Sequence, residues 1–166
     1  MKARIDISTV APGVKSILGS LEVYVHNSGL EASLVDMVKL RASILNRCAY
    51  CVDAHYKDAR AHGETEQRLY EVAAWELAPF YTERERAALA WTDAVTLISE
   101  TQVPDEVFNR AREYFSEKEL VDLTMAIIAV NGWCRLATSF RFVPGTYKPA
   151  VLGQHVAAEK PVTAPA

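Results

Sequence analysis

The sequence predicts an all-α fold, a single-domain bundle of about seven helices, and three observations carry that prediction. Apolar residues recur at spacings of three and four and hardly ever alternate. Helix-starting and helix-ending residues punctuate the chain at intervals of one helix length. Half of the 166 residues are apolar, enough to bury one core without disulfides or metal.

Taken in order, Val14, Ile17, Leu18, Leu21 and Val25 make a first amphipathic stripe, entered near Pro12 and ended by Asn27-Ser28-Gly29. A second helix is predicted from about Glu31 to Leu45. After a break at Asn46-Arg47, Cys48 opens a third that runs to His62 and stops at Gly63. Thr65 caps a fourth, carrying Leu69, Val72, Ala73 and Trp75 and closed by Pro79, whose ring disfavours helical geometry at Ala78. Thr82 with Glu85 forms a capping box for a fifth, expected to last to Glu100. Pro104 starts a sixth. Ser116 with Glu119 is a second capping box. The seventh helix it opens, Glu117 to about Thr138, is apolar on almost every side from Leu120 to Val130, which suits a central helix or an oligomer interface. Residues 1–145 thus form the domain. Residues 146–166, with Pro149, Pro161 and Pro165 and no periodicity, read as a tail that is mobile or wraps a neighbouring subunit.

The formal charge of −3, with scattered Lys and Arg, offers no stripe for a phosphate backbone, so nucleic acid is excluded as a partner. Lys2 and Arg4 precede no apolar signal-peptide core, and the apolar run Met125–Val130 is too short to span a bilayer. Three cysteines, two close together and one remote, do not resemble a secreted disulfide framework. A cytoplasmic protein with no membrane contact is expected.

The most informative motif is Cys48-Ala49-Tyr50-Cys51 followed by His55. On a helix these three side chains fall within roughly 60° of arc, so two thiols and one imidazole share a face. A thiol attacks a peroxide only as thiolate, and both a helix N-terminus at Cys48 and an imidazole one turn beyond Cys51 favour that form. Cys51 would then become a sulfenic acid that Cys48 resolves as a disulfide. The imidazole needs a carboxylate to fix its tautomer. Folding the second and third helices back on each other brings Asp36 roughly opposite residues 55 to 58, which makes Asp36 the candidate, while Asp53 and Asp58 are nearer in sequence. Cys134 reads as a buried small side chain. The rival to redox chemistry is zinc held by Cys48, Cys51 and His55, in a binding or redox-sensing module. Haem attachment is excluded because Val52, not histidine, follows Cys51.

The stretch from Leu34 to Ser43, then Asn46, Cys48, Cys51, His55 and Asp58-Ala59-Arg60, resembles the carboxymuconolactone decarboxylase superfamily, alkyl hydroperoxidase D-like branch. The similarity continues through Glu66-Gln67-Arg68-Leu69, Trp75, Phe80 to Trp91 and Glu119 to Leu123. The resemblance implies a cofactor-free homo-oligomer, a trimer or hexamer, that reduces organic hydroperoxides with electrons from a dithiol reductant. It also implies a proton relay from Asp36 through His55 to Cys51, with Cys48 resolving. Lactone decarboxylation is the other chemistry of the superfamily, in members without the cysteine pair. Three positions depart from the pattern: Asp36 stands where glutamate is usual, Tyr50 where the best-known member has a second relay histidine, and Arg47 where glycine is frequent.

Overall fold

The computed structural model describes residues 2–149. Among these the chain is helical throughout, without strands, in nine α-helices and one 3-10 turn: α1 (Ile7–Val10), α2 (Gly13–His26), α3 (Ala32–Leu45), α4 (Ala49–Ala61), α5 (Glu66–Tyr70), the 3-10 turn Val72–Ala74, α6 (Glu83–Thr96), α7 (Ile98–Thr101), α8 (Asp105–Tyr114) and α9 (Glu117–Phe140). The stripe expected after Pro12, the helix closed by Leu45, the helix capped by Cys48 and both capping boxes are present.

The helix count exceeds the expected seven for local reasons. The helix predicted from Thr65 to Pro79 ends at Tyr70, because the carbonyls of Val72 and Ala73 leave the helical ladder to accept from the Arg41 guanidinium, at 3.3 and 2.8 Å. The helix predicted to reach Glu100 breaks at Leu97, and Thr101 Oγ1 donates to the freed carbonyl of Ala94 at 2.7 Å. A short α1 precedes the first predicted helix, capped by Asp6, whose carboxylate accepts from the Ser8 amide.

α3 lies at the centre, packed against α4, α6 and α9. One core joins Leu34 and Val38 of α3 to Ala88 and Trp91 of α6, Ala111 of α8, and Leu120, Leu123 and Ile127 of α9. A second joins Met37 and Leu40 to Leu69, Val72 and Leu89. α9 is long and apolar enough to cross a membrane by length and composition alone, well beyond the run Met125–Val130. Here it is the core helix, in contact with α2, α3, α4, α6 and α8. Gly132 of α9 permits the approach of α2, since a Cβ there would meet Leu18 Cδ2 at 3.0 Å.

Candidate active site

The α3–α4 turn sets the position of the two cysteines. α3 ends in a Schellman motif: the Cys48 amide donates to the Ser43 carbonyl at 3.1 Å and the Arg47 amide to that of Ile44 at 2.9 Å. The motif needs a left-handed residue next to the cap, and Arg47 supplies it at φ 52°. That conformation costs a side-chain-bearing residue roughly 1 kcal/mol, which is why glycine suits the position. The Asn46 side chain holds the turn, donating to the Ala42 carbonyl at 2.8 Å and to Asn131 of α9 at 3.0 Å.

Cys48 is then the N-cap of α4, its sulfur accepting from the Cys51 amide at 3.4 Å. The two sulfurs lie 2.7 Å apart, close enough that a disulfide requires little movement. Cys134, expected only as a buried filler, is buried but belongs to the site: the sulfurs of Cys48, Cys51 and Cys134 all lie within 4.8 Å of one another. The Cys48 thiol is pulled far down by hydrogen bonds from Cys134 and Cys51, against the cost of burial, with the Cys51 amide assisting. The Cys51 thiol is pushed up by the same neighbours and by burial. Cys134 is raised to about 12, chiefly as the donor to Cys48. Of the three thiols, Cys48 at the helix N-terminus is the one these contacts favour for loss of its proton.

Cys51 opens onto a cavity of about 840 Å³, whose wall also carries His55, Asp58, Tyr50, Trp133, Phe142 and Tyr147. His55 Nδ1 lies 3.5 Å from Asp58 Oδ2, and the Tyr147 hydroxyl donates to Asp58 Oδ1 at 2.7 Å. Burial and the bonded Asp58 carboxylate both push the Tyr147 phenol up, so it stays a donor. Lys57 clamps this segment to α4 by donating to the Tyr147 carbonyl, and Asp53 does so by accepting from the Gly145 amide. Residues just past 145 thus contribute to the site, while residues 150–166 of the proposed tail lie outside the described residues.

The expected pairing of Asp36 with His55 is not formed. Asp36 is buried on α3 and accepts from His62 Nδ1 at 2.5 Å, one residue past the end of α4. Equal axial rise placed Asp36 opposite residues 55 to 58, but helical side chains lean toward their own N-terminus. In an antiparallel pair those leans carry Asp36 away from the turn and His62 toward it, which moves the meeting point along by about one helical turn. Burial raises the Asp36 pKa, and His62 opposes that rise. The carboxylate that does face His55 is Asp58. Among the described residues the donor that joins Cys48 and Cys51 is Cys134, not the His55 of the rival zinc reading.

Sequence reasoning missed His62, Tyr147 and the role of Cys134. His62 had a usable signal, being seven residues from His55 and so on the same face of one helix. Tyr147 and Cys134 reach the site only through tertiary folding.

Comparison with known proteins agrees with this architecture. The model of the carboxymuconolactone decarboxylase family matches residues 17–94. The uncharacterized Bacillus subtilis protein YdfG is 39% identical over 137 residues, covering 82% of this chain and 93% of that one. A crystal structure from Agrobacterium tumefaciens, of a protein of unknown function named as a candidate antioxidant defence protein AhpD, superposes with a TM-score of 0.85 at 44% identity, covering 88% of this chain and all of that one. A peroxidase-related protein from Ralstonia eutropha JMP134, described as an alkylhydroperoxidase AhpD core, shares the fold with a TM-score of 0.74 at 22% identity, over 84% of this chain and 74% of that one. The chain belongs to the carboxymuconolactone decarboxylase family, on its alkyl hydroperoxidase D-like branch.

Proposed function

We propose that the protein is a thiol peroxidase that reduces organic hydroperoxides to alcohols through a Cys48/Cys51 dithiol–disulfide cycle. The observation that carries this reading is that Cys51, His55 and Asp58 line one cavity while Cys48 sits directly behind Cys51. A hydroperoxide enters the cavity with its apolar body against Trp133 and Phe142. Cys51 attacks the terminal peroxide oxygen as the O–O bond breaks. Its proton leaves through His55, and the alkoxide departs protonated as the alcohol. Cys48, whose proton its neighbours help to release, attacks the Cys51 sulfenic acid as thiolate, forming the disulfide and releasing hydroxide that takes up a proton to become water. A dithiol reductant, by two successive exchanges, restores both thiols and is itself oxidised to a disulfide. This cycle belongs in a reducing compartment, which assigns the protein to the cytoplasm.

The carboxylate of the relay is Asp58, with Tyr147 behind it, rather than Asp36. His55→Ala is expected to slow hydroperoxide turnover by about 10²-fold or more if the imidazole is the general base. Asp58→Asn should follow in the same direction. Asp36→Asn, which disturbs only the pair with His62, should change turnover far less than Asp58→Asn. Peroxide-consumption assays with a dithiol reductant rank the variants, and a larger loss at Asp36 than at Asp58 would overturn the reassigned relay.

The homo-oligomer is proposed on two apolar pairs left exposed at seven-residue spacing, Ile17 with Tyr24 on α2 and Val121 with Ile128 on α9. These two helices pack side by side, so one continuous face is available to another subunit. Sedimentation at micromolar concentration should show an assembly larger than a dimer, and a monomer would remove the proposal.

A further inference from the structure

We propose that Cys48, Cys51 and Cys134 together form a three-sulfur site for trivalent arsenic, taken up from arsenite. Three observations support it. The three sulfurs are mutually within 4.8 Å and all three residues are buried. Trivalent arsenic carries a lone pair and binds three sulfurs as a flattened pyramid; at about 2.3 Å from each, with angles a little under 100°, the sulfurs stand roughly 3.4 Å apart, so the cluster needs only a modest opening of the Cys48–Cys51 pair. The donor set is also purely sulfur, which selects a soft, thiophilic centre over a hard one.

The surroundings decide which centre. The cluster packs among Ala42, Val130 and Ala137, and its polar neighbours are the Ser43 hydroxyl, 3.9 Å from the Cys134 sulfur, and Thr138 beside Cys48. Among the described residues no imidazole or carboxylate joins the three thiols as a fourth donor. Zinc bound here would complete its four ligands only with a water from the cavity, so charge rather than ligand count decides. Monovalent copper with three thiolates would leave two negative charges in an apolar pocket, and divalent ions would leave one. Trivalent arsenic leaves none. Arsenous acid and three thiols, or two thiols with the Cys48 thiolate and one proton from solvent, give a neutral trithiolato-arsenic centre and three waters: three As–O bonds break, three As–S and three O–H bonds form, and no oxidation state changes. Cys51 lines the cavity, so arsenite has an entry path and the released water an exit.

This inference does not rest on the peroxidase reading, because uptake is measured on reduced protein without peroxide. The experiment mixes the reduced, metal-free full chain with sodium arsenite under anaerobic conditions and records the intact mass under native conditions. The expected adduct is one arsenic added and three hydrogens lost. An adduct heavier by one water would mean that arsenic keeps a hydroxyl and uses only two sulfurs, and it would overturn the proposal. Uptake of zinc in preference to arsenite would overturn it as well. Cys134→Ser, its fold checked by circular dichroism, should retain one hydroxyl on arsenic and weaken binding by at least about tenfold in competition with a small dithiol. Equal binding by this variant would also overturn the three-sulfur site.

Discussion

Replacing Cys51 by serine is expected to abolish hydroperoxide turnover, with a loss of at least about 10³-fold, as removal of a covalent nucleophile does. A serine hydroxyl stays protonated at neutral pH and cannot form the disulfide that closes the cycle. In the proposed cycle Cys51 rather than Cys48 is the attacking sulfur, a choice supported by Cys51 lining the cavity with Cys48 behind it. Electrostatics alone point the other way, since the contacts of Cys48 favour loss of its proton over that of Cys51. The two cysteine variants separate these possibilities. With Cys51→Ser, stopped-flow mixing with an organic hydroperoxide should show no reaction faster than a free thiol. With Cys48→Ser, Cys51 loses its resolving partner, so one slow consumption of peroxide should leave a sulfenic acid that over-oxidises. Normal turnover by Cys51→Ser would end the proposed mechanism, and a Cys51 sulfenic acid trapped in Cys48→Ser would place the attack.

The shared charge among the thiols bears on the same experiment. Cys134 lies within 4.8 Å of the Cys48 sulfur and favours loss of the Cys48 proton, so in the proposed cycle it acts through Cys48 as a positioning residue. The family pattern of two cysteines and a histidine gives no hint of this third thiol. Cys134 comes from α9, which packs across α4.

The elements that were legible in the sequence are those decided within a few residues of themselves. Both capping boxes and the stop at Gly63 follow from helix-end chemistry and are present in the structure, while Cys51 and His55 share the cavity wall with Cys48 behind Cys51. The breaks at Tyr70 and Leu97 were not legible. The first depends on Arg41, some thirty residues upstream, reaching the carbonyls of Val72 and Ala73. The Asp36 assignment failed for a related reason. Counting rise along two helices places their backbones, while the meeting of side chains depends on the direction in which each leans. Asp36 is buried, and its partner His62 lies one turn further along than Asp58.

Removing the carboxylate of Asp93 is expected to cost the largest share of stability of any single polar substitution discussed here. Asp93 of α6 holds Arg41 of α3 in a two-pronged pair, with Arg41 Nε to Oδ1 at 2.6 Å and Nη2 to Oδ2 at 2.7 Å. The indole of Trp75 donates to the same carboxylate at 3.1 Å. Arg41 is buried, and its remaining donors go to the carbonyls of the 3-10 turn. One guanidinium therefore ties three elements together, and α3 is the element that runs into the Cys48 turn. Asp93→Ala leaves that charge buried and unpaired, for which about 3–5 kcal/mol is the expected loss. Glu76, half-exposed and 3.7 Å from Arg41, is too solvated to compensate, and its own removal should cost no more than about 1 kcal/mol. Against a typical domain stability of about 5–15 kcal/mol, the Asp93 variant stands near the margin of folding. Urea unfolding of the two variants measures the contrast. A loss below about 1 kcal/mol for Asp93→Ala would mean that water reaches the guanidinium, and the bridge would then be an exposed ion pair rather than the strut that holds α3 against α6.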